Sequence, residues 1–486
     1  MSYRIESIEL YVRETKPGRM AFSLGKKGGT GDVQKGLLNP LGHVRLILKD
    51  SEGNETYGCS ADRLSVRWLD KRPGRSQDLK RRELVDLIHA AKDILLAQAE
   101  FETPFELWRK TYGEILRAGR ATNQEDLTTA FAASLMERAV IDGVARLSRR
   151  PVFEMVKENR LGIVPGDIYR ELQGTDLSGL LPNQPRSQFF IRHTIGASDP
   201  LTAEDLPEDR RMHDGLPETL AEYVREDGVR YFKIKVTGDP EADLKRLSRI
   251  WEVIVRAEEP VITLDANEAF TDLETFARFL DRFENELTGM FQHVAYIEQP
   301  LNRKLTLDRH TSPIIRRLSE RKPLLIDEAD GKLGAFYQAH AIGYAGTSHK
   351  NCKGVYKSLL NLALVDHYQQ QGQSAFLSGE DLQNLPVVPL HQDFVTLGML
   401  NLSHCERNGH HYNFGLSMLS EPEKQQISRL HRDLYVEKNG EWFLKIRDGR
   451  VNCASLQCPG FGVAFEPDWS SMTGMKSWVR QRHPVE

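Results

Sequence analysis

Three acidic residues, Asp265, Glu298 and Asp327, each end a short apolar run. The runs lie about one strand-plus-helix unit apart: 33 residues from 265 to 298 and 29 from 298 to 327. In a parallel barrel the C-terminal strand tips converge on one rim, so carboxylates on consecutive tips become neighbours. Three oxygen ligands with no Cys or His among them favour a hard cation, Mg²⁺ ahead of Mn²⁺. Without a cation between them they would repel or protonate. A divalent ion held there could stabilise the charge that reaches a substrate carboxylate when the adjacent carbon loses a proton.

Lysines complete the chemistry. Lys233 and Lys235 are two apart on one strand, so both point the same way, toward the metal site. Lys350 comes from a strand across the barrel mouth. A cation nearby should lower a lysine's pKa and make a neutral amine base available. Two such lysines could act as base and acid on opposite faces of one substrate. Any of these groups alone is more often a helix cap or a solvated strand end. Together, on successive strands in order, they form a constellation.

The elements that must position them follow from periodicity. From about Gln188, β-type runs alternate with amphipathic helices: Phe189–Arg192, Tyr231–Val236, Val261–Leu264, Val294–Ile297, Leu324–Ile326, Gly346–Ser348 and Ser374–Leu377. An eighth strand is placed near Leu400–Ser403, and helices at Pro240–Glu258, Leu273–Glu286 and Gly354–Gln370. This predicts an α/β fold, a (β/α)₈ TIM-like barrel, with a doubly wound open sheet as the alternative. The N-terminal region reads as strands, then helices at Asp78–Ala97, Phe105–Leu116 and Leu127–Leu147, an α+β unit. Residues 1–145 are assigned to this capping domain, 146–405 to the barrel, and 406–486 to a segment returning to the cap. Trp442–Val451 is read as a hairpin within that segment.

At 486 residues the chain exceeds a single core, and a formal charge of -4 gives no electrostatic reason for a nucleic acid or membrane partner. The charged N-terminal residues do not form a signal peptide, and no run is apolar enough to span a bilayer. Five scattered cysteines suit free thiols in a reducing cytoplasm.

The motifs Phe232-Lys-Ile-Lys235, Leu264-Asp-Ala-Asn267, Ile297-Glu-Gln-Pro300, Ile326-Asp-Glu328 and Cys458-Pro-Gly-Phe-Gly-Val463 resemble those of the enolase superfamily. The closest branch is that of mandelate racemase and muconate-lactonizing enzyme. The resemblance implies that Asp265, Glu298 and Asp327 hold Mg²⁺ (or Mn²⁺), that Lys235 and Lys350 move protons with Lys233 beside them, and that Asn267, Glu328 and Lys353 support them. Strand seven ends Leu377-Ser-Gly-Glu-Asp381 without His, which fits the two-lysine, muconate-lactonizing type. It also implies a soluble enzyme, an isomerase or lyase, that forms an enediolate from a small carboxylate and works as a homo-oligomer. Racemisation, epimerisation or cycloisomerisation leads, with dehydration of a sugar acid as the alternative. A non-catalytic, metal-stabilised binding protein is the reading from another class.

Two cap segments are candidate lids: the Gly-rich run 22–31, whose Lys26 and Lys27 could meet an anion, and Gly58–Arg63. The Gly-rich run lacks the Walker arrangement. His193, Thr194 and Glu380, at strand tips, are candidate substrate contacts. His404, Cys405, His410, His411, Cys453 and Cys458 match no compact zinc spacing.

Overall fold

The computed structural model describes residues 2–15, 39–381, 385–407 and 414–483. Eight parallel strands form a ring: Gln188–Ile195, Tyr231–Lys235, Val261–Asp265, Val294–Glu298, Leu324–Ile326, Gly346–His349, Phe376–Gly379 and His404–Glu406. They pair in sequence order, and the eighth closes on the first through His404↔Phe190, Cys405↔Ile191 and Glu406↔Arg192. Closure rules out the open sheet. No described helix is long and apolar enough to cross a membrane.

Strand alternation decides which side chains meet. On the second strand Phe232 and Ile234 are fully buried against the helical layer, while Lys233 reaches carboxylates on four other strands and so lies inside the ring. Around the ring, Asp239 and Asp272 cap the helices Pro240–Ile254 and Leu273–Glu286, accepting from the N–H groups of Ala242 and Thr275. Phe276, Phe279, Leu280 and Phe283 form one buried stripe on the second of these. At about 1.5–3 kcal/mol per large apolar side chain, that stripe anchors the helix after the third strand.

Three sequence expectations shift. The eighth strand lies at His404–Glu406, because the helix Val388–Met399 ends in a turn through Leu400–Leu402, with Asn401 at positive φ, that takes up the segment assigned to it. Helix Pro240–Ile254 stops short of Glu258: Glu259 turns left-handed (φ 45°) ahead of Pro260, which cannot continue a helix. The late hairpin pairs Tyr435–Lys438 with Glu441–Leu444 around Asn439 and Gly440, both at positive φ as a two-residue hairpin turn requires. Arg450–Asn452 instead runs antiparallel to the first barrel strand.

In the cap, strands Tyr3–Thr15, Asn39–Asp50 and Glu55–Arg63 form an antiparallel sheet, joined at Tyr11 and Val12 by Thr473–Gly474. The helix Asp126–Leu147 packs beneath it and is buried along almost its whole length. Gly58 admits this closeness, since a Cβ there would lie 2.2 Å from the Ala139 carbonyl oxygen. Gly58–Arg63 is therefore not a lid loop. It is paired strand, with Cys59 N–H donating to Asp142 and Arg138 bound to Asp62 at 2.9 Å. The Gly-rich run with Lys26 and Lys27 lies outside the described residues.

The same cap helix reaches the barrel. Glu137 Oε1 accepts from Tyr356 N–H at 2.8 Å, at the start of helix Val355–Gln370, which has no side-chain cap of its own. Gly354 leaves the space: a Cβ there would sit 3.0 Å from Glu137 Oε2. Burial pushes Glu137 up to about 7. The folded chain thus holds this proton more tightly than the unfolded chain. The resulting stabilisation is complete below the unfolded value and is lost as pH climbs through about 7. Glu137→Gln, which keeps an oxygen acceptor without the charge, should lose less stability than the parent between about pH 5 and about pH 8 in thermal melts. Parallel pH profiles for the two proteins would contradict this. Glu137→Ala should cost about 1–3 kcal/mol in urea unfolding.

Candidate active site

The strand tips bring most of the predicted residues into one buried cluster. Asp265, Glu298 and Asp327 are each at most 1% exposed. Lys235 Nζ donates to Asp265 Oδ2, and Asn267 N–H donates to the other Asp265 oxygen at 2.8 Å. Lys350 Nζ donates to Asp327 Oδ2 at 2.8 Å; Lys353 Nζ donates to Asp327 Oδ1, also at 2.8 Å, and to Ser348 Oγ at 2.6 Å. Glu328 accepts from Asn267 Nδ2 at 2.9 Å. Asn267, Glu268 and Gln299 adopt positive φ just past their strand tips, turning the chain sharply behind Asp265 and Glu298.

Lys233 is the hub. Its ammonium lies 2.7 Å from Glu298, 2.7 Å from Glu380, 3.0 Å from Asp265 and 3.0 Å from Glu406. Burial alone would lower its pKa, but these four charges outweigh it and the net shift is well upward. Lys350 is also raised: burial opposes its charge, and Asp327 restores it. The expected lowering is therefore reversed for these two lysines. Their nearest neighbours here are carboxylates rather than a cation.

The carboxylates differ among themselves. Burial, then repulsion from Asp265 and Glu380, pushes Glu298 well above the usual range, with Lys233 offsetting only part. Burial acts the same way on Asp327, but Lys350, Lys353 and Lys233 overcome it and hold its carboxyl well below that range. Glu328 is pushed up to about 7 by burial and by Asp327, Glu268 and Asp265.

Residues from the remaining elements complete the cluster. Thr194 Oγ1 donates to Glu406 at 3.0 Å, and Glu380 is bound by Arg192, Ser378 and the Tyr296 hydroxyl. His193 does not join it: its ring packs on Tyr223 in the outer layer, centroids 4.3 Å apart. Glu406, Arg192, Tyr296 and Ser348 escaped sequence reading. Arg192, Tyr296 and Ser348 each sit two residues before a recognised tip residue, so a period-two count would have found them. Trp68, from the cap, had no such signal. Lys350 Nζ lies 4.2 Å from its ring centroid, and its indole N–H donates to Glu328 at 3.1 Å. Arg303, bound to Glu268 and Glu125, also donates to the Trp68 and Leu69 carbonyls and fixes that segment.

No three His, Cys, Asp or Glu side chains among the described residues converge as a ready coordination shell. Ammonium groups account for this: Lys233 stands against Asp265 and Glu298, while Lys350 and Lys353 hold Asp327 apart from them. The donor set itself suits a hard cation, being all oxygen. Both Glu298 oxygens are buried and accept no aligned hydrogen bond; Lys233, 2.7 Å from one of them, leaves the other oxygen to be met by a further positive charge. The residues present therefore fit a divalent ion.

Residues 215–383 match the family model described as Enolase C-terminal domain-like. No curated protein matches the chain. Among solved structures, the chain is similar to a mandelate racemase/muconate lactonizing enzyme from Bordetella bronchiseptica RB50. That match has 15% identity and a TM-score of 0.59, covering 97% of this chain and 99% of that one. It is also similar to the muconate lactonizing enzyme from Pseudomonas putida, at 14% identity and TM-score 0.53, covering 98% and 99%. A third is the dipeptide epimerase from Cytophaga hutchinsonii complexed with Mg and the dipeptide D-Ala-L-Val, at 14% identity and TM-score 0.56, covering 96% and 98%. At these identities the likeness establishes the shared barrel-and-cap fold.

Trp68→Leu, which removes both the ring over Lys350 and the bond to Glu328, should cost about 1–2 kcal/mol in urea unfolding. Trp68→Phe keeps a ring and should cost less. Equal losses would show that the ring contributes nothing at Lys350.

Proposed function

We propose that this chain is a Mg²⁺-dependent enzyme of the enolase superfamily that removes the proton next to a substrate carboxylate. One observation carries the reading: three buried carboxylates on consecutive strand tips are flanked by Lys235, bonded to Asp265, and Lys350, bonded to Asp327. These lysines come from the second and sixth of eight strands, opposite sides of the ring. Asp265, Glu298 and Asp327 would hold the cation. Bound there, it supplies a Lewis acid that lowers the cost of negative charge on the substrate's carboxylate oxygens.

Lys235 and Lys350, reaching the site from opposite sides of the ring, would take a proton from carbon on one face and give one back on the other. Trp68 holds Lys350 from the cap side, and Ser348 and Lys353 steady Asp327.

Racemisation, epimerisation or cycloisomerisation is the better supported outcome. Dehydration of a sugar acid would use a polar pocket built from His193, Glu380 and the lid lysines Lys26 and Lys27; His193 faces the outer layer, Glu380 is committed to Arg192 and Lys233, and the two lysines lie outside the described residues.

The test is α-proton exchange in heavy water over a panel of carboxylic acids that includes dipeptides, with Mg²⁺ or EDTA. Metal-dependent exchange is expected for at least one compound. Lys235→Ala and Lys350→Ala should each lower turnover by about 10²–10⁴-fold. Each should keep exchange for the stereoisomer whose proton faces the remaining lysine. A folded protein that binds Mg²⁺ and exchanges no substrate would favour the binding-protein reading; full activity in Lys350→Ala would end the two-lysine assignment.

A further inference from the structure

Lys233 does more than line the site. Its ammonium, on a side chain 1% exposed, touches carboxylates from the third and fourth strands, Asp265 and Glu298, and from the ends of the seventh and eighth, Glu380 and Glu406. Asp265 and Glu298 belong to the proposed metal triad; Glu380 and Glu406 do not. Among the described residues Glu298 has no other donor, and this ammonium is its positive neighbour. The far pair is anchored separately, Glu380 by Arg192, Tyr296 and Ser378, and Glu406 by Thr194. One end of the cage is thus fixed, and the other is held by Lys233 and Lys235.

We infer that Lys233 is a resident counter-ion, which pairs with Asp265 and Glu298 and competes with the divalent cation for them. This rests on the metal reading above. A cation bound to Asp265 and Glu298 would stand close to the ammonium, and two positive charges at that separation repel strongly in a buried site. Lys233 would then retreat onto Glu380 and Glu406, which remain as its partners. It is a positioning residue in this role: it sets where the ligand oxygens lie and how tightly the ion is held. The barrel can in this way form with no metal present, at the cost of weaker metal binding.

The experiment titrates Mn²⁺ into the full-length parent and Lys233→Met, reading free Mn²⁺ by electron paramagnetic resonance and metal-free stability by thermal melts. The variant should melt lower than the parent in EDTA and bind Mn²⁺ about tenfold tighter or more. A variant that folds only when Mn²⁺ is supplied supports the inference equally. If the parent binds Mn²⁺ and the folded variant binds it no tighter, the competition is refuted while the metal reading stands. If neither binds, both fall. Should the variant not fold under either condition, a crystal structure of the parent with Mn²⁺ decides. The Lys233 ammonium must have left Asp265 and Glu298 for Glu380 and Glu406, and finding it still on the first pair overturns the inference.

Discussion

Burying six carboxylates at the mouth of one barrel is the constraint on which the site depends. An isolated ionised carboxylate is too costly to keep out of water, so each must be neutralised, protonated or paired. Lysines on the second and sixth strands, and Arg192 on the first, supply that pairing from within the ring. Their lengths suit the task, since a lysine stem can cross the barrel interior while its head meets several oxygens. The pairing is uneven: Asp327 is oversupplied with cations and Glu298 is short of them. That imbalance is the clearest electrostatic sign of where a further positive charge belongs.

The cap is part of the same arrangement. Trp68 and Arg303 join its short connecting segment to the tips of the fourth and fifth strands, while Glu137 and Arg138 on one cap helix reach the helices after the sixth and seventh. Arg138 donates both to Asp62 within the cap and to Gln392 on the barrel. Groups that place Lys350 are therefore contributed by both halves of the chain.

What could be read in the sequence follows from how each element announces itself. Val261–Asp265 and Val294–Glu298 are apolar runs ending in acids, so both the strands and their ligand candidates were visible. His404-Cys-Glu406 carries no such run, because its inward residue is a carboxylate satisfied by Lys233 and Thr194 rather than by packing. With the eighth strand expected at Leu400–Ser403, Glu406 falls outside the barrel. Arg192 and Tyr296 lie one step below the strand tips, in a layer that strand-end position does not mark. The upward shifts of Lys233 and Lys350 were hidden too, since they depend on distances between strands rather than on residue type. Trp68 depends on how the cap docks, which no local pattern encodes.

The seat of Glu137 on Gly354 makes each half of the chain a partner the other cannot lose freely. A barrel parted from its cap would keep a helix whose first turn has lost its acceptor, and a cap grafted onto another barrel would bring a buried acid with nothing to receive. The acid at 137 and the bare backbone at 354 therefore serve one contact between them, and a change at either is felt in both halves.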